Sequence, residues 1–467
     1  MFLIDESQMC RRMRSVRSGF RTANMKQQAI LAFGVVAVVL ASCAVASQRA
    51  DDANSPGRLE DYLRDAALNN AALKASFQTW KATLESIPQA KALADPQFTY
   101  GYFIREVETR IGRQRQKFDL MQTFPWFGVI KARTDAAGAN ARAAYKRYEA
   151  KKLELFQEVK HAFYEFSYLA RAIEITNESL ENIKGYEEVV RIKYIGAASS
   201  HPDLVRAQIE LVLIEDRLNS LKNLRPTITA RLNSILNRPV SSELPWPQSP
   251  QYEQVSIEFA KLLALIIENN PDLRAVDHVI EAMRSKETLA QKRSYPNIGL
   301  GFSYIDTAHA MASGVSDSGK DPIMAMVSLN LPIWTESYKA AERQAKAELV
   351  KTRQEKIQLE NTLGANARQL LYELDDTARR IRLYGGIVIP KAYEMVAASE
   401  TAYGGGTIDF LSLIDAQDKL LKYELLYERA LAENAQKLAK LERIAGTPLP
   451  TTESDPGSHD EKDGVEK

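Results

Sequence analysis

Residue types able to do chemistry are few in this sequence and poorly spaced for it. The five histidines, His161, His201, His278, His309 and His459, are scattered, and none stands four residues from another histidine or a cysteine. There is no Gly-x-Ser-x-Gly elbow, no phosphate-binding glycine loop and no His-Glu-x-x-His pair. His309 with Met311, and Met324 with Met326, offer thioether donors of the kind that suit Cu(I). A variable loop and ordinary strand packing account for the same residues. Asp203 and Asp409 each follow a turn, at 196–202 and 404–407, where a carboxylate can cap the next helix. Neither catalysis nor a resident metal or cofactor is expected. A net charge of +1 gives no case for binding nucleic acid.

One thiol has a clearer chemistry. Residues 25–43 read "MKQQAILAFGVVAVVLASC": a lysine, an apolar run and a close of small residues, which is a secretory signal. The run at 29–41 is short of the ~20 residues of a spanning helix. Met25 is a plausible start, with the Arg-rich 1–24 as an upstream extension. Leu40-Ala41-Ser42-Cys43 has the form of a bacterial lipobox, in which segment 1–42 is removed and Cys43 becomes the first mature residue and carries lipid. Cleavage after Ala46, discarding Cys43, is the alternative. In the lipobox reading Ala44, rather than Asp, follows the cysteine, which favours the outer membrane. With Cys10 the only other cysteine, no disulfide framework or thiolate zinc site can be drawn.

The elements that carry these residues come twice. Asn69-Asn70, Leu73 and Ala75 match Asn269-Asn270, Leu273 and Ala275, and "DPQFTYGY" (95–102) matches "YPNIGLGF" (295–302) at the same offset. Phe124-Pro125-Trp126 parallels Leu331-Pro332-Ile333-Trp334. Tyr194 with Gly196 and Asp203 parallels Tyr403 with Gly404 and Asp409. Two units are expected, at 56–240 and 252–449, joined by the Pro-rich linker 241–251 and followed by a charged, disordered tail, 450–467. Each reads helix, two strands, long helix, turn, helix. Leu211, Ile214, Leu218, Leu221, Ile228, Leu232 and Ile235 keep the spacing of helices packed along their length. Residues 131–193 lack proline and predict one helix of about 95 Å at 1.5 Å per residue. The stretch from 335 is similar, with Gly385, Gly386 and Pro390 expected to break or kink it.

Strands are predicted at about 97–108, 116–124, 297–307 and 323–333. Phe98, Tyr100, Tyr102 and Ile104, then Ile298, Leu300, Phe302 and Tyr304, alternate with small or polar residues. A sheet on a core does this, and so does a membrane β-barrel with strands of ~9–11 residues. Strand length, the long polar connection "DTAHAMASGVSDSGKD" (306–321) and the aromatic side chains favour the barrel. Four strands cannot close one, because closed membrane barrels start near eight. Several copies must therefore pool strands. Two would give about eight and a filled interior; three would give about twelve and room for a channel, and Gly299, Gly301 and Ser303 suit that wider, open lumen.

Over about 56–449 the chain resembles the TolC-like outer membrane efflux proteins. The resemblance rests on the duplicated unit and on "TFPWFGVIKAR" (123–133), "NPDLRA" (270–275), "YPNIGLGFSY" (295–304) and "YGGGTIDFLSLIDAQDKLL" (403–421). "FPWFG" before a basic residue looks most like the branch associated with heavy-metal efflux. The resemblance implies a mainly α fold with membrane β: a homotrimer in which a 12-stranded outer-membrane barrel continues into a periplasmic α-helical barrel. It implies a passive exit duct of a tripartite efflux or type I secretion system, serving an inner-membrane pump through a periplasmic adaptor. The turns with Gly196 and with Gly404, Gly405 and Gly406 would be the periplasmic tips, glycine supplying the reversal. Asp415 matches a lumen-facing carboxylate at the aperture, joined there by Asp409 and Asp203, while Ser412 stands where relatives often carry a second acid. Pro125 and Pro332 would begin the helix after each return strand. Trp126 and Trp334 would lie at the periplasmic side of the bilayer or serve as core at that joint. The rival reading is a periplasmic coiled-coil adaptor or scaffold with a soluble sheet.

Overall fold

The computed structural model describes residues 57–453. The signal stretch, Cys43, Cys10 and the tail beyond 453 lie outside the described residues. Each half of the chain begins with a short helix ended by an asparagine. α1 (Leu59–Asn69) leads into α2 (Ala71–Leu84), and much later α6 (Phe259–Asn269) leads into α7 (Pro271–Lys292). Asn70 and Asn270 explain their repetition. Each side-chain oxygen accepts the N–H of Leu73 or Leu273, at 2.9 and 3.0 Å, capping the new helix. Each amide donates to a carbonyl at the end of a distant helix. Asn70 reaches Ile235 at 2.8 Å, and Asn270 reaches Ile444 at 2.9 Å. The distant helices are α5 (His201–Ile235) and, after further elements, α10 (Phe410–Ala445). One asparagine amide, half-buried at Asn70 and buried at Asn270, thus nails two helices end to end in each half.

Between them runs α4 (Val129–Ile195), 67 residues without a break and so about 100 Å long. It packs on α2 and α5 on one side and on α7 and α10 on the other. Its buried positions are mostly alanine near the start, then Leu155, Val159, Phe163, Phe166 and Leu169 further on. Small side chains allow close helix approach there, and larger ones fill the wider middle. The fourth rod is α8 (Thr335–Leu383), which packs on α7 and α10, followed by α9 (Ile389–Gly404), which packs on α10. Gly385, Gly386 and Pro390 do not break the helix, but they do mark an irregularity in it. The chain instead widens into a π-helical turn, Tyr384–Val388, and continues. Gly385 is pressed on the Tyr427 ring, where a Cβ would lie 2.8 Å from Cε2. Pro390 follows just after the π-helical turn, as the second residue of α9.

The strands are β1 (Gln97–Thr109), β2 (Gly112–Phe124), β4 (Ile298–Thr307) and β5 (Ile323–Leu329). They form one antiparallel sheet in the order β1-β2-β4-β5. β2 starts earlier, and β5 ends earlier, than the alternation suggested. The two hairpins join through β2 and β4, so β1 and β5 are free edges. One face carries Phe98, Tyr100, Tyr102, Leu120, Leu300, Phe302 and Val327, all exposed, with Ile104 at 92%. Among the described residues nothing covers that face. The opposite face holds buried Ser303 and Gly299 and the charged pair Lys117–Asp119, 3.1 Å apart. Among the described residues no helix is long and apolar enough to cross a membrane.

The linker and the first residues of the tail are held in place. In the linker 241–251, Leu244 is buried, Trp246 stacks on Phe166 at 5.0 Å, and the Arg225 guanidinium lies 4.2 Å over the Trp246 ring. Its prolines stiffen a strap rather than release one. The tail was expected from 450, yet β6 (Thr451–Glu453) pairs antiparallel with β3 (Glu253–Val255), so backbone pairing holds three residues that composition assigns to a solvated end. The short helix α3 (Ser86–Lys91) completes the fold.

Candidate functional site

At the far ends of the long helices two tips share one backbone pattern. In the first, Gly196 N–H donates to Ile192 O, Ala197 N–H to Tyr194 O and Ala198 N–H to Lys193 O, at 3.0, 3.0 and 2.7 Å. In the second, Gly405, Gly406 and Thr407 donate to Thr401, Tyr403 and Ala402, at 3.0, 3.1 and 2.9 Å. Reversal needs a left-handed residue at the middle position. Gly406 supplies it in the second tip, with φ +73°, whereas Gly404 and Gly405 do not adopt such a conformation. In the first tip the left-handed residue is Ala197, φ 53°, not Gly196, whose φ is −80°. The glycine expected to make that reversal therefore does not, and a residue with a Cβ carries the strain.

The carboxylates divide by role. Asp203 forms a capping box with Ser200, whose hydroxyl donates to it at 2.6 Å. Asp409 caps α10: it accepts the Ser412 N–H at 2.9 Å and the Ser412 hydroxyl at 2.6 Å, which hold its carboxyl below the usual range. Ser412 thus completes a cap. Asp415 is solvent-exposed at 57% and paired with Lys419 at 2.6 Å one turn on. Asp418, crowded by protein atoms and facing Glu210 and Asp415 with Arg217 nearby, has its pKa raised, chiefly by desolvation.

Two contacts between the tips were not foreseen. The Lys193 ammonium, in the last turn of α4, donates to the Tyr403 carbonyl at 2.5 Å and lies 4.1 Å over the Tyr403 ring. A few turns away Tyr186 OH donates to Glu400 at 2.6 Å. Burial, then that bond, raises the Tyr186 pKa. Between these contacts Val190, Ala207, Tyr403, Phe410, Leu413 and Ile414 form a small core joining the tips. A lysine in a helix's last turn is so common, for its dipole, that sequence offers no sign of a distant partner.

At the other end of the rods, Pro125 and Pro332 lie in non-helical connectors, before α4 begins at Val129 and α8 at Thr335. Neither starts a helix; Pro125 directly follows the last residue of β2, while Pro332 lies three residues beyond the end of β5. Gly128, at φ +84°, is the residue before α4. Trp126 is half-buried, stacked on Tyr295 at 5.4 Å. Trp334 is 77% exposed and is not core. His309 stays exposed in the β4–β5 connection against Gly319, and among the described residues no group of three or more His, Cys, Asp or Glu could hold a metal.

The sequence profile of the outer membrane efflux protein family matches residues 62–238 and 262–447, and the chain belongs to that family. Members of the family are channels rather than enzymes. Nodulation protein T of Rhizobium leguminosarum bv. trifolii is 24% identical over 336 residues, 69% of each chain. Outer membrane protein OprJ of Pseudomonas aeruginosa is 24% identical over 329 residues, 68% of this chain and 67% of that one. Among solved structures, CusC superposes with a TM-score of 0.73 at 14% identity, covering 85% of this chain and 93% of its own. VceC of Vibrio cholerae gives 0.69 at 16%, covering 84% and 97%.

Proposed function

We propose that three copies of this chain close into one 12-stranded outer-membrane barrel continued by a helical tube, and that the tube is a passive exit duct for an inner-membrane pump. One observation carries this: a four-stranded sheet with a wholly exposed apolar face and two unpaired edges. In lipid, each unpaired backbone group on such an edge costs several kcal/mol, so β1 of one copy must pair with β5 of the next. The helices support the same closure. Their lateral order, α2 and α5, then α4, then α7 and α10, then α8 and α9, follows the order of the strands and leaves matching free edges. Ile209, Val212 and Leu213 are exposed on one edge, and Val350, Ile357 and Ile387 on the other.

In this reading the tips with Gly196 and with Gly404, Gly405 and Gly406 face the periplasmic adaptor. Asp415 lines the aperture, its charge tempered by Lys419, while Asp203 and Asp409 hold the tip helices in shape. Trp126 and Trp334, beside Pro125 and Pro332, sit at the inner edge of the bilayer, and acylated Cys43 adds a lipid anchor. The duct performs no catalysis. Mass measurement of the detergent-purified mature chain, with conductance in a planar bilayer, tests the proposal. A trimer that forms ion-conducting pores is expected. A monomer soluble without detergent would overturn it and favour the coiled-coil scaffold.

A further inference from the structure

Between α7 and α8, away from both the tips and the sheet, lies a groove of ≈ 430 Å³ lined largely by charged side chains. Its carboxylates are already engaged. Asp277 accepts Lys356 at 2.8 Å and faces Arg274 at 3.9 Å; Glu281 accepts Arg142 of α4 at 2.9 Å and contacts His278 at 3.2 Å. Two cations are left over. Arg284 and Arg353, one from each helix, both line the groove, both are exposed, and neither guanidinium has a partner among the described residues.

Two like charges facing one concavity repel unless an anion lies between them. A second copy is a poor source of that anion. In the ring proposed above, the edge facing α8 at its membrane-proximal end is made by α2 and α3, which carry Lys74, Lys81 and Lys91 against the single acid Glu85. A small ligand is a better fit. A groove of this size admits one, and two guanidinium forks match the paired oxygens of a phosphate or carboxylate. We propose that this groove binds a small multivalent oxyanion, a phosphate or polycarboxylate, through Arg284 and Arg353.

The test is calorimetric titration of the purified full-length channel with inorganic phosphate, with citrate, and with chloride at matched ionic strength. Binding of phosphate or citrate, but not of chloride, at up to one per protomer is expected, and which of the two binds assigns the class. The double variant Arg284→Gln/Arg353→Gln should bind at least ~10-fold more weakly. Arg284→Lys/Arg353→Lys, which keeps the charge and loses the fork, should fall between and serves if the glutamine variant does not fold. Equal responses to all three salts, or binding unchanged in these variants, would overturn the inference. Conductance measured on the same preparation separates the two ideas: conducting trimers that bind no oxyanion would sink this site and leave the duct standing.

Discussion

Replacing Lys193 by methionine should loosen the contact between the two tips. The ammonium makes a charged hydrogen bond to the Tyr403 carbonyl and a cation–π contact with its ring, tying α4 to the end of α9. A charged hydrogen bond is worth ~1.5–3 kcal/mol net, here taken near the low end because the site is partly open to water, and the ring contact adds ~0.5–1. The tie therefore contributes about 2 kcal/mol per protomer, or roughly 30-fold in the closed-to-open ratio. If three tips open together, about 6 kcal/mol is lost and the shift exceeds ~10⁴. Methionine keeps the apolar stem and removes only the charge. Single-channel recording should show Lys193→Met open far more often than the parent, while Lys193→Arg stays near it. Opening within about threefold of the parent in Lys193→Met would refute the reasoning, since even one tie of ~2 kcal/mol predicts more.

Gly446→Ala should cost about 2–3 kcal/mol, because φ is +75° and the new Cβ would meet the Asn269 carbonyl oxygen at 2.4 Å; thermal unfolding reads it. Ala197→Gly should stabilise the first tip by ~1 kcal/mol by relieving its left-handed strain, seen as slower amide exchange at 192–198. Asp418→Asn should raise thermal stability at pH 7 slightly, since the native site disfavours the charged form but solvent screens this exposed carboxylate. The native chain there holds its proton to higher pH than the unfolded one, so the cost of charge disappears as pH falls through the raised value. The advantage of asparagine should then vanish towards about pH 4. Asp409 runs oppositely: its depressed pKa lends stability at neutral pH that is lost as pH falls below the ordinary carboxylate range. Phe302→Lys should impair membrane assembly by ~2–4 kcal/mol if that face meets lipid mid-bilayer, whereas Ser328→Lys, in the neighbouring strand on the opposite face, should be tolerated; yield of heat-resistant trimer distinguishes them.

Much of the architecture was legible because it is written at long range and twice. Alternation over four strands and a proline-free run of sixty residues leave little else for the backbone to do. The asparagine pairs were visible as a repeat, but their job was not, because the partner carbonyls lie about 170 residues away. Local rules misled where tertiary contact overrode them. Gly385 and Gly386 looked like a break, yet packing on Tyr427 holds the helix in a wider turn. Gly196 looked like the pivot of its tip, and the neighbouring alanine was pushed into the role. Asp409 caps its helix as its place beside a turn suggested, whereas at the first tip the cap itself is Ser200 and Asp203 is its partner in the box. Lys193 and Tyr186 were invisible because their meaning lies wholly in another helix.

The π-helical turn has a consequence for how the tube is wound. Above it, buried positions on the fourth rod recur at intervals of seven: Leu363, Leu370 and Thr377, with Ala367, Leu374 and Ile381. Below it the interval is seven again, from Val396 to Tyr403, but the step from Ile381 to Ala392 is eleven. Such a four-residue slip locally relaxes a left-handed coil. The rod thus changes gear at this short collar, so the segment below it can take a different pitch from the one above without either losing its seam. Lengthening or shortening the rod by a single residue anywhere else would turn its buried stripe by about 100° and strand it in water.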